Sequence, residues 1–279
     1  MTATTLPPSS PRNGAFADAE PEPLRPPLKW AGGKRWLLPE LRKYWRKHSH
    51  RRLVEPLAGG LAVALGLRPR EALLNDLNPH NINFYRRLAQ GLAIDVEMAN
   101  DAETYYRHRT RFNALIASGE AETGEAAQLF YYLNRTGYNG LCRFNRRGEF
   151  NVPFGRHETI NYATEFDIYT GAMSPWQFTV GDFESIDLQP DDFVYADPPY
   201  DVEFTQYSKE AFGWEEQERL AEWLARHPGP VVLSNQATKR IVKLYRSLGF
   251  RLVRRAAPRM ISCNGDRTKA IEVIATRGL

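Results

Sequence analysis

Cysteine is scarce in this chain: 279 residues carry only Cys142 and Cys263. Two thiols so far apart give neither a disulfide framework nor the paired spacing of a zinc site, and they suit a reducing compartment, so a cytoplasmic location is expected. Among six histidines, His48 and His50 lie close together but lack a companion ligand set, so no metal is expected. No apolar run approaches the roughly 20 residues of a membrane span, and no apolar signal core follows Met1, so no membrane partner is expected. The phosphate-cradling pattern Gly-x-x-x-x-Gly-Lys-Ser/Thr does not occur, which argues against a nucleoside triphosphate. There is no internal repeat. Residues 1–27 hold few large apolar groups and much Pro, Ser, Ala and Glu, and read as a disordered tail without a catalytic role.

What is present is an ordinary globular composition, with 42% hydrophobic and 25% charged residues, enough apolar material for a folded core. The net charge of +4 is a mild excess that permits nucleic-acid binding. Its distribution says more. Lys29, Lys34, Arg35, Arg42, Lys43, Arg46, Lys47, Arg51 and Arg52 are opposed by Glu40 alone. A second cluster, Arg135, Arg143, Arg146, Arg147 and Arg156, includes only the acid Glu149. Each cluster reads either as a solvated face or as a surface for phosphates.

The order of elements indicates an α/β fold. Residues 34–47 have a helical, basic pattern with a possible break near Pro39. Arg52–Glu55 reads as a strand leading into Pro56-Leu-Ala-Gly-Gly60, then an apolar helix from Leu61 to Leu67, then a second strand, Ala72–Asp76, and a helical stretch to about Leu92. Residues 95–134 are helical in pattern and polar on one side. Arg135–Arg156 is rich in Gly, Asn and Arg and reads as an exposed loop or small hairpin. Strands are expected at 176–181, 193–197, 231–235, 250–255 and 270–276, with helices at 214–226 and 237–248. The expected boundaries are a catalytic and cofactor-binding domain over 28–94 and 159–279, interrupted by a mostly helical insertion over 95–158.

The run Asp192–Tyr200 carries the chemistry. Phe193 to Ala196 form a buried strand that Pro198 and Pro199 stop, so Asp197 stands at its carboxyl end, where open α/β sheets place ligands. An exocyclic amine on a flat base is a poor nucleophile because its lone pair is delocalised. Hydrogen bonds from its N–H groups to a carboxylate (Asp197) and a carbonyl (Pro198) would draw it toward tetrahedral geometry. The prolines stiffen the loop, and the Tyr200 ring suits stacking on a base. Taken alone, the four residues also read as a strand followed by a Pro-Pro turn.

Glu55 and the turn through Gly59, with Asp76 about 20 residues on, match the order of a nucleotide-binding unit in which the second acid takes ribose hydroxyls. A nucleoside without phosphates, such as S-adenosyl-methionine, needs no more than this. Asp182 and Phe183 close another strand. They suit either a contact to the cofactor's adenine or a strand-end cap. Lys34 and Trp30 suit the methionine carboxylate and apolar parts of the cofactor, Trp30 being equally suited to core packing.

Several motifs stand in one order: Lys29-Trp-Ala-Gly-Gly-Lys34, Glu55-Pro56 with Gly59, Asp76-Leu-Asn78, Asn134–Asn145 with Gly148–Gly155, Gly181-Asp-Phe183, and Asp197-Pro-Pro-Tyr200. From Leu28 onward the chain resembles the Dam-type DNA adenine-N6 methyltransferases. The resemblance implies a Rossmann-like methyltransferase sheet with an inserted target-recognition domain, S-adenosyl-methionine as cofactor, and double-stranded DNA as partner. It implies cofactor contacts at Trp30, Lys34, Asp76, Asp182 and Asp197, and a flipped adenine held by Asp197, Pro198 and Tyr200. It further implies Tyr138 wedged into the base stack, Asn139 and Leu141 at base edges, Arg143 on a guanine and Pro153 against a base, with GATC as the target. A monomer or weak dimer is expected. Membership of a restriction-modification pair, a phage or a housekeeping system is not fixed by the residues. The chain departs from the family at Leu57 and Leu61, where Phe and Gly are usual, and its loop from Asp201 to Phe212 is short. An RNA adenine methyltransferase, a cytosine-N4 enzyme and an inactive DNA-binding relative are the alternatives.

Overall fold

The computed structural model describes residues 22–201, 212–257 and 270–279. The strands are β1 (Leu53–Glu55), β2 (Ala72–Asp76), β3 (Gln177–Val180), β4 (Phe193–Ala196), β5 (Val231–Gln236), β6 (Arg251–Ala257) and β7 (Ala270–Arg277). They form one sheet in the order β3-β2-β1-β4-β5-β7-β6. The first five run parallel, and β7 is antiparallel to both β5 and β6. The sequence explains which strands are central. β1 and β4 are buried along their whole length, the signature of a parallel strand covered on both faces, whereas the edge strand β6 exposes Arg251 and Arg254. This is the expected Rossmann-like α/β sheet. Its strand order reverses between β1 and β4, so the carboxyl ends of those two strands open onto the crevice where such sheets bind ligands.

The helices are α1 (Leu38–Trp45), α2 (Ala62–Leu67), α3 (Pro79–Ala89), α4 (Ala102–Ala117), α5 (Gly124–Thr136), α6 (Asp167–Met173), α7 (Trp214–Arg226) and α8 (Lys239–Ser247). Local chemistry sets their starts. Pro39 does not break a helix but occupies the first turn of α1, where its missing N–H costs nothing. Asn78, Asp101, Thr123 and Thr238 cap α3, α4, α5 and α8 through their side-chain oxygens. The helical stretch expected over 95–134 is two helices, parted at 118–123 where Thr123 caps a fresh start; residues 95–101 lie outside both. Short α6 was not among the expected elements.

α4 and α5 do not build a separate core. Tyr105, Phe112, Phe130, Tyr131 and Tyr132 are buried in one cluster with Leu53, Phe84 and Tyr85 from the sheet side. Phe84 and Tyr131 stack at 5.5 Å. The segment after α5 is a hairpin: Phe144 bridges Phe150, and the Asn145 side chain closes the turn by accepting from the N–H groups of Arg147 and Glu149. Among the described residues no helix is long and apolar enough to cross a membrane.

Candidate active site

Asp197 follows β4 at the switch point, and its carboxylate is held asymmetrically. Oδ1 takes Lys34 Nζ at 2.9 Å and the Ser234 hydroxyl at 2.9 Å. Oδ2 has no hydrogen-bond donor among the described residues. Ser234 is itself fixed by Tyr195, whose hydroxyl lies 2.9 Å away inside the sheet. The loop is anchored from behind: Gln217 Nε2 donates to the Pro199 carbonyl at 2.7 Å, and Asn235 donates to Gln217 Oε1 at 2.9 Å. No described residue donates to the Pro198 carbonyl. Among the described residues, one carboxylate oxygen and one neighbouring carbonyl are therefore without a donor.

Lys34, almost fully buried, is the hub. Besides Asp197 it donates to the Tyr200 hydroxyl and the Gly32 carbonyl, each at 3.2 Å. The Tyr200 hydroxyl donates in turn to Glu272 Oε1. Burial pushes the Asp197 carboxyl above the usual carboxylate range, with Lys34 and Ser234 pulling it back. Burial raises Glu272 too, Lys34 and the Tyr200 bond opposing, and the Asp197 charge adds to the rise. The Lys34 expected at the cofactor's carboxylate is thus placed in the Asp197–Tyr200 cluster.

The β1–α2 turn lies beside this cluster. Trp30 packs against it: a Cβ on Gly59 would come within 2.8 Å of the indole nitrogen, and one on Gly60 within 2.6 Å of Trp30 Cβ. Gly59 also has φ +49, so both shape and space require the glycine. Asp76 fixes the turn, accepting from Gly59 N at 2.8 Å and Asn78 N at 2.9 Å. Asn75 ties it to the end of β3 by donating to the carbonyls of Pro56 and Gly181 at 3.0 and 2.9 Å. Glu55 is fully buried and pushed up to about 8, chiefly by desolvation, with the Ala64 N–H opposing; its Oε1 has no partner among the described residues. An orphaned buried carboxylate oxygen fits a cationic ligand better than a neutral one.

Asp182 caps the turn after β3 by accepting from Glu184 N, and Arg219 grips it with two hydrogen bonds of 2.8 and 2.6 Å. The Phe183 ring is placed in the core, with the Arg219 guanidinium 4.3 Å from its centre and Trp223 at 5.6 Å. The exposed apolar groups near Asp76 and Asp182 are instead Leu77, 56% exposed, and Val180, 43% exposed.

The recognition candidates share one surface. Tyr138, 50% exposed, leads a one-turn helix and donates its N–H to the Pro153 carbonyl at 2.9 Å. Asn139, Leu141, Arg143 and Pro153 are exposed around it. Asn139 adopts φ +52, a left-handed shape that Asn tolerates. Gly140 (φ +62) sits on Lys29, where any Cβ would collide with the lysine chain. Arg143 is pre-aimed by Asn151, which accepts from Nε through Oδ1 at 2.8 Å and from a terminal nitrogen through its carbonyl at 3.2 Å. Asn134 locks this segment to the Lys29–Lys34 loop by bonding both backbone groups of Lys29, at 2.7 and 2.8 Å. A cavity of about 520 Å³ lined by Lys47, His48, Arg251 and Arg277 lies at the other end of β7 and includes no residue of this site.

The sequence profile of the D12 class N6 adenine-specific DNA methyltransferases matches residues 30–261. The chain belongs to that family. It is 36% identical over 266 residues to the retron Ec67 DNA adenine methylase of Escherichia coli, covering 90% of each chain. It is 34% identical over 277 residues to the DNA adenine methylase of Haemophilus influenzae, covering 91% of this chain and 94% of the relative. It is 31% identical over 280 residues to the type II methyltransferase M.MjaIII of Methanocaldococcus jannaschii, covering 88% and 96%. The protein is an adenine-specific DNA methyltransferase, and membership of the family implies S-adenosyl-methionine as methyl donor.

Sequence reasoning passed over Glu272, Ser234, Asn235 and Gln217. The signal was available for three of them. Glu272 interrupts the apolar run Ile271–Ala275, and Ser234-Asn235 ends an otherwise aliphatic strand. A polar residue inside a buried strand must be bonded to something, and here its partner belongs to the site. Gln217, one of many polar residues on α7, gave no such signal. The loop at Asp201–Phe212, expected to be short, lies largely outside the described residues.

Proposed function

We propose that this enzyme methylates N6 of an adenine extruded from duplex DNA, within GATC. The carrying observation is the division of labour on Asp197: Oδ1 is spent on Lys34 and Ser234, while Oδ2 and the Pro198 carbonyl remain as two acceptors for the two N6–H bonds. An adenine inside the helix cannot present its amine to such a recessed pair, so the base must leave the stack. Asp197 and Pro198 orient the amine, Pro199 keeps the loop rigid, and the Tyr200 ring stacks on the purine. Because the acceptors are fixed beforehand, little reorganisation remains as positive charge grows on N6.

S-adenosyl-methionine, when bound, supplies the electrophilic methyl carbon. In this reading Glu55 takes its cationic end, Gly59 and Trp30 wall the turn, Lys34 borders the pocket, Asp76 takes the ribose hydroxyls, and Asp182, with Phe183 behind it, faces the adenine amine. The residue set fits the group: an acid at each of the three strand ends, one of them orphaned, and no phosphate cradle. Residues 28–94 and 159–279 then serve as the catalytic and cofactor-binding unit, and 95–158 reads the target. Tyr138 wedges into the gap, Asn139, Leu141 and Pro153 meet base edges, and the Arg143 fork matches guanine O6 and N7.

The test is to incubate the protein and cofactor with a plasmid of known sequence and, in parallel, a structured RNA, then map N6-methyladenine at single-base resolution. Methylation confined to GATC adenines in duplex DNA is expected. Modification at another DNA sequence would remove the target assignment alone; modification of RNA only would remove the reading.

A further inference from the structure

Glu272 lies in β7, opposite Gln236 on one side and Arg255 on the other. Only 1% of it is exposed, and Ile271, Val273, Ile274 and Ala275 surround it in sequence. Burying a carboxylate costs several kcal/mol unless partners compensate, and an apolar residue of similar size would suit a strand interior better. The compensation here is narrow. Oε1 accepts from the Tyr200 hydroxyl. Oε2 has no hydrogen-bond donor, and Lys34 Nζ stands 3.9 Å from it, a purely electrostatic distance. Among the described residues, every side-chain interaction of this carboxylate thus points at the Asp197 cluster.

The hydrogen bonds have a direction. Lys34 Nζ donates to both the Tyr200 oxygen and Asp197 Oδ1. The Tyr200 oxygen, having accepted from Lys34, gives its own proton to Glu272. A carboxylate at 272 therefore turns the Tyr200 hydroxyl toward itself and sets which lone pair Lys34 meets. We propose that Glu272 is a positioning residue for methyl transfer: by accepting the Tyr200 hydroxyl proton it locks the Tyr200 ring and aims Lys34 at Asp197, leaving Oδ2 for the substrate. Glu272 itself touches neither base nor cofactor. The role assigned to it rests on the reading of Asp197 and Tyr200 given above.

The experiment compares wild type, Glu272→Gln, Tyr200→Phe and the double variant. Single-turnover methyl transfer to duplex DNA is measured at saturating cofactor, alongside equilibrium binding of duplex and cofactor. Carbon-13 tyrosine-ring NMR follows Tyr200, its signal assigned by its loss in Tyr200→Phe. Each single variant should lower the transfer step about 10- to 100-fold, the scale of a small misplacement in a preorganised site, with binding unchanged. The double variant should be no worse than the poorer single, because both act on the same contact: the glutamine amide oxygen is a neutral, weaker acceptor, and phenylalanine has no hydroxyl to donate. The Tyr200 ring signal should move in Glu272→Gln. Losses that multiply, a Glu272→Gln rate equal to wild type, or an unmoved Tyr200 signal would each overturn the assignment. Should Glu272→Gln not fold, Glu272→Asp retains the charge but withdraws it from the hydroxyl, and must displace the same signal. The NMR outcome does not depend on activity, so a wild type without methyl transfer to DNA would sink the functional reading while the ring measurement still decides Glu272.

Discussion

Around Asp197 polar side chains hold one another: Lys34, Tyr200, Ser234 and Glu272 are joined by hydrogen bonds within a largely buried cluster. Around Tyr138 the side chains of Asn139, Leu141 and Pro153 are exposed, and the loop keeps its shape through backbone bonds and the Asn134 clamp below it. The pocket's side chains bond one another, and among the described residues two acceptors lack a donor. The loop around Tyr138 bonds through its backbone and leaves most of its side chains exposed. Chemistry needs acceptors placed before the substrate arrives, whereas readout needs donors and rings still able to meet a groove. Arg143 is the intermediate case, exposed but already aimed by Asn151.

Three substitutions sharpen this contrast. The largest effect belongs to Asp197→Ala, which removes the open acceptor and leaves Lys34 buried beside Glu272. Methyl transfer should fall by about 10³-fold or more, with circular dichroism and duplex binding retained. Near-normal transfer would show that the pocket's order is structural only.

Glu55→Gln probes the cost of burial. The folded Glu55 carboxyl titrates at about 8, far above the ordinary carboxylate value of 4.5. Through this group the folded state therefore binds more protons than the unfolded one between those two values, and the Glu55 contribution to stability falls as pH rises through that window. Glu55→Gln should be more stable than wild type at pH 8 by a few kcal/mol at most, with little difference at pH 4, read from denaturant melts without cofactor. Parallel pH profiles for the two proteins would place the Glu55 charge in contact with water after all.

The smallest effect is expected on the exposed side. Arg143→Ala should cost about 1–3 kcal/mol of discrimination at one base pair and leave the transfer rate on saturating target nearly intact. The check is methylation of duplexes altered at each target position in turn. If the rate constant for transfer fell as steeply as the discrimination, reading and chemistry would not be separable in the way the two regions suggest.

The α/β class, the strand that ends at Asp197, the glycine turn with Asp76, and the separate character of Arg135–Arg156 were legible because each depends on local signals: apolar runs, proline stops and glycine turns. The two-helix division near Thr123 was less so, since a cap within a polar stretch barely alters periodicity. The place of Phe183 was not legible at all. A ring at a strand end can face a ligand or the core, and Arg219 and Trp223, which cover it, come from α7, more than thirty residues on.

The sequence by itself determined the reaction class through a resemblance: an acid followed by Pro-Pro-Tyr at a buried strand's end also reads as a simple turn, but in order with the other motifs it matches one family. Only the tertiary structure decided how Asp197 divides its two oxygens and that Glu272 stands behind Tyr200. Those facts depend on β7 inserting antiparallel beside β5, which carries a residue from near the end of the chain to a loop seventy positions earlier. Local spacing cannot encode such a meeting; the hydrogen-bond register of the sheet does.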